Sequence, residues 1–237
     1  MKSINPANGE LLKIYQPLTK DESVSAVESA DSAFHDWRQT SFAERKSVLL
    51  KFAEILRKES DRLSRLITME MGKRLSESES EIEYCAKITE FYANGAEGFL
   101  ANTPVKVADA EAYIQHTPVG VVLGVMPWNF PFYQVIRFAT PNIMAGNTVL
   151  IRHASNVPQC AEAIAKLFQK VGLPDGVYTN LFIPTEFVSP LIAHKHIRGV
   201  SLTGSEGAGA AVASAAGKNV KRSVLELGGN DPFIVLE

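Results

Sequence analysis

The sequence predicts an α/β fold: a Rossmann-like parallel sheet with flanking helices, preceded by a helical segment and a β-hairpin. Three observations support this. Residues 19–100 place apolar side chains at helical spacing. Two short β-like runs follow, and beyond Pro118 apolar, β-branched strands alternate with helices. Because such alternation is typical of βαβ units, we divide the chain into residues 1–103, 104–118 and 119–237.

The helical part carries recurring start signals. Thr19, Ser41 and Ser76 each stand three residues before a glutamate, which is the spacing of a capping box. A short helix is expected to end at Gly72, because glycine readily adopts the left-handed conformation that terminates helices.

The hairpin is predicted from the runs 105–107 and 112–117, which a polar ADAE segment separates. In the second half, a helix is expected from about Phe132, with Pro141 causing a kink or an early end. Parallel strands end at one edge of their sheet, where open α/β proteins usually bind ligands. Functional side chains are therefore expected in the segments that follow the strands.

Composition limits the possible partners. The chain has 24 Lys and Arg against 26 Asp and Glu, a net charge of −2, so it has no signature of binding nucleic acid or an anionic membrane. Cys85 and Cys160 are too few for a disulfide framework, and the N-terminus lacks a secretory signature, so a reduced cytoplasmic location is expected. Both cysteines fall on apolar helix faces, which favours core packing. His194 and His196 could share a strand face but lack further ligands nearby, so no metal is expected.

The first candidate cluster is Met-Pro-Trp-Asn-Phe-Pro, after the first apolar strand. The prolines stiffen the backbone around Asn129, whose amide N–H₂ could donate to a developing oxyanion. The alternative is a turn before a helix, with Trp128 in the core.

The second cluster is Ile-Arg-His-Ala-Ser, at the end of the next strand. Arg152 and Ser155 could hold an adenosine ribose and would accommodate a 2′-phosphate. Alternatively, Arg152 is a solvated strand-end charge and Ser155 caps a helix.

The third and fourth clusters follow later strands. Gly204 and Ser205 open an Ala-rich helix, where small residues and free N–H groups suit a phosphate, although a plain tight turn has the same composition. Glu226 interrupts an apolar strand before two glycines. The leucines around it are expected to bury this carboxylate, which is costly unless it is paired or functional, and desolvation would raise its pKa toward that of a general base; the alternative is a structural salt bridge.

Taken together, PWNFP at 127–131, LTGS at 202–205 and LELGG at 225–229 resemble the aldehyde dehydrogenase superfamily. The resemblance extends over the whole chain. The stretches RHASNVPQCA and LELGGNDPFIVLE are most similar to the bacterial succinate-semialdehyde dehydrogenase branch.

The resemblance implies NAD(P)-dependent oxidation of a small aldehyde, expected to be succinate semialdehyde, to the carboxylate. Asn129 matches the position that stabilises the oxyanion, and Glu226 matches the general base. Positions that match cofactor contacts are Trp128, Asn129, Arg152, Ser155, Gly204, Ser205 and Leu227. Arg152 stands where the family usually has lysine, and Ser155 stands where strict NAD enzymes tend to carry glutamate, so NADP is expected, with NAD as the alternative.

The resemblance also assigns the three segments. Residues 1–103 and 119–237 correspond to the cofactor-binding domain and 104–118 to an oligomerisation hairpin, which implies a homo-oligomer. In the family the nucleophilic cysteine lies well downstream of the glutamate, and neither Cys85 nor Cys160 matches it. We therefore expect a truncated form that does not complete the reaction alone. The alternatives are a non-catalytic nucleotide-binding or interaction module and an unstable fragment.

Overall fold

The computed structural model describes residues 1–229 and 232–236; the predicted domain end at residue 237 lies outside them. The chain opens with an antiparallel hairpin of β1 (Lys2–Ile4) and β2 (Leu11–Ile14). These strands were not predicted, because three or four residues are too few to show an alternating pattern.

Four helices follow: α1 (Lys20–Trp37), α2 (Phe42–Lys58), α3 (Ser60–Met71) and α4 (Leu75–Phe99). Complete capping boxes begin α1 at Thr19 and α2 at Ser41, as predicted. Gly72 ends α3 with a φ of 80°, also as predicted. The third predicted capping box is wrong. The chain re-enters a helix directly after the Gly72 turn, with Arg74 at the N-cap, so Ser76 already lies inside α4.

A second antiparallel hairpin pairs β3 (Thr103–Val105) with β4 (Ala112–Ile114). Pro104 stands opposite Tyr113, and β3 begins two residues earlier than the sequence pattern indicated. Both strands are mostly exposed to solvent.

The remaining chain alternates strands and helices, as the sequence predicts. In chain order the elements are β5 (Val121–Met126), α5 (Tyr133–Met144), β6 (Thr148–His153), α6 (Pro158–Lys170), β7 (Tyr178–Asn180), α7 (Val188–Ala193), β8 (Ile197–Thr203), α8 (Glu206–Lys218) and β9 (Arg222–Glu226). The five strands form one sheet with the order β7-β6-β5-β8-β9, and every pair is parallel. The helix α5 continues past Pro141, so the proline does not end it early.

Two apolar clusters cover the two faces of the sheet. Helices α5 and α6 pack on one face and are covered by α2 to α4, and Phe52 of α2 stacks on Phe168 of α6 with ring centroids 3.9 Å apart. Helices α1, α7 and α8 pack on the other. Cys85 and Cys160 are both fully buried in the first cluster, which confirms the expectation of core packing. Of the helices in the described part of the chain, none is long and apolar enough to cross a membrane.

Candidate functional site

The sheet brings the four sequence clusters to one edge. Met126 at the end of β5 stands beside His153 at the end of β6, and Thr203 at the end of β8 stands beside Glu226 at the end of β9. Because β5 also pairs in parallel with β8, all four strand ends point the same way. The segments that follow these strands therefore lie side by side, at the edge where open α/β proteins usually bind ligands.

The segment after β5 forms a loop at residues 127–132, which is exposed at 128–130. Trp128 is 50% exposed, so the alternative that placed it in the core is wrong. Asn129 is also exposed, and within the described residues its side-chain amide has no hydrogen-bond partner. The amide is therefore available to a ligand.

Buried groups from another layer hold this loop. The carboxylate of Glu81, on α4, accepts hydrogen bonds from the backbone N–H groups of Phe132 and Tyr133 at 2.9 and 3.0 Å. Glu81 is also paired with Lys73, whose ammonium lies 3.5 Å from the centroid of the Phe130 ring. Sequence reasoning missed Glu81, although a carboxylate beside Ile82 on an apolar helix face was a usable signal.

Arg152 is half-buried at the end of β6 rather than solvated. Its Nη2 donates to Thr185 Oγ1 at 2.9 Å, and its Nε is buried with no hydrogen-bond partner among the described residues. Burial lowers the pKa of the guanidinium from its ordinary value. A buried donor without a partner is costly, which suits a site completed by a ligand.

Ser155 lies exposed in the turn after β6 and does not cap α6, so that alternative is wrong. The helix starts later, with Val157 at its N-cap. Its first turn is capped instead by Glu70 of α3, whose carboxylate oxygens accept from the N–H groups of Gln159 and Cys160, both at 2.8 Å. The Ser155 hydroxyl is thereby left at the surface, three residues after Arg152.

The segment after β8 forms a tight helix start. Ser205 is the N-cap of α8, with its Oγ accepting from Ala208 N at 3.4 Å, and Gly204 N donates to Glu226 O at 3.0 Å. The N–H groups of a first helical turn lack partners within the helix and lie at the positive end of its dipole. This geometry suits an anionic ligand.

Leu227 packs directly against that turn. A Cβ added at Gly209 would stand 2.5 Å from Leu227 Cδ2, so the close approach depends on glycine. Glycine at Gly204 and Gly207, where an added Cβ would meet no close neighbour, leaves the helix start open to a phosphate or a ribose.

Glu226 differs from its prediction. It was expected to lie buried among leucines, but its side chain is 56% exposed. The reason is that β9 is an edge strand of the described sheet and its residues are largely exposed. Arg137 Nη2 lies 4.0 Å from Glu226 Oε2, at the outer limit of a salt bridge.

Two cavities adjoin these residues. A groove of about 550 Å³ runs from Glu226 along α5 and the strands β8 and β9, with Gln134 and Arg137 in its wall. A second cavity of about 600 Å³ is lined by Phe130, Tyr133 and residues of α4. Sequence reasoning missed Arg137, a single cation within an otherwise apolar helix.

Neither cysteine belongs to the site. Cys85 and Cys160 are buried on α4 and α6, and burial raises the pKa of each thiol well above its usual value, the reverse of what a thiolate nucleophile needs. His194 and His196 do not share a strand face, because both precede β8; His196 Nδ1 lies 2.8 Å from Asp31 Oδ2. Within the described residues, no group of three or more His, Cys, Asp or Glu could hold a metal ion.

Comparison with known proteins gives a consistent result. The sequence matches the family model described as "Aldehyde dehydrogenase family" over residues 1–237. It is 45% identical over 235 residues to a succinate-semialdehyde dehydrogenase [NADP(+)] of Deinococcus radiodurans, covering 99% of this chain and 49% of that protein. A probable succinate-semialdehyde dehydrogenase [NADP(+)] of Synechocystis sp. is 46% identical over 235 residues, covering 99% of this chain and 52% of that protein.

Among solved structures, the succinic semialdehyde dehydrogenase from Streptococcus pyogenes in complex with NADP⁺ superimposes with a TM-score of 0.95 at 40% identity. The match covers 100% of this chain and 52% of that one. The chain thus spans about half the length of the curated relatives it matches. The match over its whole length shows that the chain belongs to the aldehyde dehydrogenase family.

Proposed function

We propose that this chain supplies the cofactor-binding portion of an NADP-dependent dehydrogenase that oxidises succinate semialdehyde to the carboxylate. The observation that carries the proposal is the convergence of Asn129, Arg152, Ser205 and Glu226 on one sheet edge. Relatives named for this activity lend support. The attacking thiolate is not provided by Cys85 or Cys160, which are buried.

The residues at the edge fit a dinucleotide. The open first turn of α8 and the close contact between Gly209 and Leu227 suit a phosphate and the adjoining ribose. Arg152, with its buried Nε lacking a partner among the described residues, and the exposed Ser155 hydroxyl suit a 2′-phosphate, so we favour NADP over NAD. Bound there, the nicotinamide would supply the hydride acceptor.

Asn129 and Glu226 would supply the hydrogen-bond donor and the proton acceptor for the reaction at the aldehyde. The Asn129 amide, without a partner among the described residues, would donate to the aldehyde oxygen as negative charge develops on it. The exposed Glu226 carboxylate would take a proton from the attacking water in the hydrolytic step. Trp128 is exposed on the same loop as Asn129, where it can contact the cofactor.

Arg137 supports a substrate that carries its own carboxylate. Its guanidinium lies in the wall of the groove beside Glu226 and has only the 4.0 Å contact to that carboxylate among the described ion pairs. Guanidinium groups pair well with carboxylates, and succinate semialdehyde has one at the end remote from its aldehyde.

The segment assignments belong to the same proposal. Residues 1–103 and 119–237 would form the cofactor-binding domain and 104–118 an oligomerisation hairpin in a cytoplasmic homo-oligomer. The exposed apolar side chains of Val105, Tyr113 and Ile114 favour the hairpin role, because such patches often mark protein interfaces.

The test is calorimetric titration of the folded chain with NADP⁺ and with NAD⁺. We expect saturable binding, tighter for NADP⁺. Ser155→Glu should weaken NADP⁺ binding at least about tenfold through repulsion of the 2′-phosphate and leave NAD⁺ binding nearly unchanged, whereas the control Ser155→Ala removes only the hydroxyl. A folded chain that binds neither nucleotide would contradict the proposal and favour an interaction module.

A further inference from the structure

His153 connects two of the candidate binding segments. It is the last residue of β6, next to Arg152, and it is 3% exposed. Its Nε2 lies 2.7 Å from the carbonyl oxygen of Pro131, in the loop after β5. Its Nδ1 lies 2.8 Å from the backbone N of Ala154, which leads into the turn that carries Ser155.

The two partners define the form of the ring. A carbonyl oxygen only accepts and a backbone N–H only donates, so the proton is on Nε2 and Nδ1 is bare. Burial lowers the pKa of His153 to about 4, which keeps the ring neutral near pH 7. In this form both ring nitrogens are satisfied, and the contact is a fixed hydrogen-bonded tether rather than an ion pair.

The tether matters because it fixes the buried end of the loop that carries the exposed residues Trp128 and Asn129. Pro131 is buried, but Trp128 and Asn129 are exposed and stand three and two residues before it. On the far side of Pro131, the Glu81 carboxylate holds the N–H groups of Phe132 and Tyr133. The Phe130 carbonyl accepts from Gln134 N at 3.1 Å, but that bond stays within the start of α5. Among the described residues, the His153 bond is the hydrogen bond nearest in sequence to Asn129 that joins this loop to β6.

We propose that His153 is a positioning residue that fixes the Asn129 loop to the end of β6. The position of the Asn129 amide relative to the turn at residues 152–155 is thereby held constant. This inference rests on the proposed function for its catalytic meaning. The tether itself is a property of the chain without any ligand and can be tested separately.

Two substitutions separate the two hydrogen bonds. The side-chain amide of asparagine reaches about as far as Nδ1, so His153→Asn keeps an acceptor for Ala154 and loses the bond to Pro131. The amide of glutamine reaches about as far as Nε2, so His153→Gln keeps a donor for Pro131. Val149→Ala, at the other end of the same strand, is the control for general loss of packing.

The readout is the ¹⁵N heteronuclear NOE of the Trp128 indole in the full chain, with the buried Trp37 indole as internal reference. We expect a clear fall for Trp128 in His153→Asn, a value near wild type in His153→Gln and Val149→Ala, and no change for Trp37. An unchanged NOE in His153→Asn, or an equal fall in both His153 variants, would overturn the proposal.

A measurement on the wild-type chain guards against variants that do not fold. The imidazole ¹⁵N resonances at pH 7 should report a neutral ring protonated on Nε2, and the opposite tautomer would overturn the inference. Titration with NADP⁺ then separates the two proposals. Severalfold weaker binding in His153→Asn, rescued in His153→Gln, supports the positioning role. A wild-type chain that binds no NADP⁺ would defeat the proposed function, while the NOE result would still decide whether the tether exists.

Discussion

Removing Glu81 should cost this protein a large part of its stability. The Glu81 side chain is fully buried, and it accepts two backbone hydrogen bonds and pairs with Lys73, whose side chain is only 8% exposed. Glu81→Ala leaves two amide N–H groups without an acceptor and a buried ammonium without a counter-charge. Breaking a buried pair from one side typically costs about 3–5 kcal/mol, and an unsatisfied buried donor about 1–3 kcal/mol. Since these costs overlap, we expect about 4 kcal/mol.

Urea unfolding followed by far-UV circular dichroism measures the loss. Glu81→Gln keeps a carbonyl acceptor for the N–H groups but still leaves the ammonium without a counter-charge, so it should lose less, about 3 kcal/mol. Adding Lys73→Met to Glu81→Gln should recover part of that loss, because the ammonium is then no longer buried alone. A loss below about 1 kcal/mol for Glu81→Ala, or no recovery in the double variant, would refute the reasoning.

Three further outcomes are expected. Burial lowers the pKa of His153 from 6.5 to about 4, so between these pH values the unfolded chain binds a proton that the folded chain does not. The free energy of unfolding should therefore fall by up to about 3 kcal/mol as the pH is lowered from 6.5 to about 4. The urea midpoint of His153→Gln should vary less with pH over the same range. In the native chain Cys85 and Cys160 should react with a water-soluble disulfide reagent only at the rate of unfolding; rapid labelling of either thiol would contradict their burial. Phe52→Ala should cost about 3–5 kcal/mol by thermal or urea unfolding, because it removes a fully buried ring stacked on Phe168, and a loss near zero would show that the stacking carries no stability.

Sequence patterns that act over a few residues predicted much of the architecture. The capping boxes at Thr19 and Ser41 involve atoms three residues apart, and the left-handed turn at Gly72 depends on glycine itself. The parallel sheet followed from strands that alternate with helices, since short crossovers leave few other arrangements. That arrangement was enough to predict that the segments after the strands share one edge.

Where the local signal was weak, the same reasoning failed. Ser76 has the capping spacing, but after the turn at Gly72 the N-cap of α4 is Arg74, two residues earlier. Glu226 sits in an apolar strand, yet its exposure depends on the position of β9 at the sheet edge, which no property of the strand itself reveals.

The sequence by itself determined the elements, their order and the functional side chains that follow the strands. Only the tertiary structure decided which groups hold the segments that carry those side chains in place. Glu70 caps α6, Glu81 caps the start of α5, and His153 holds the loop after β5, and each bond joins residues 22 to 90 positions apart. Such contacts depend on the packing of whole layers, and a buried polar side chain finds its partner only when that packing is complete.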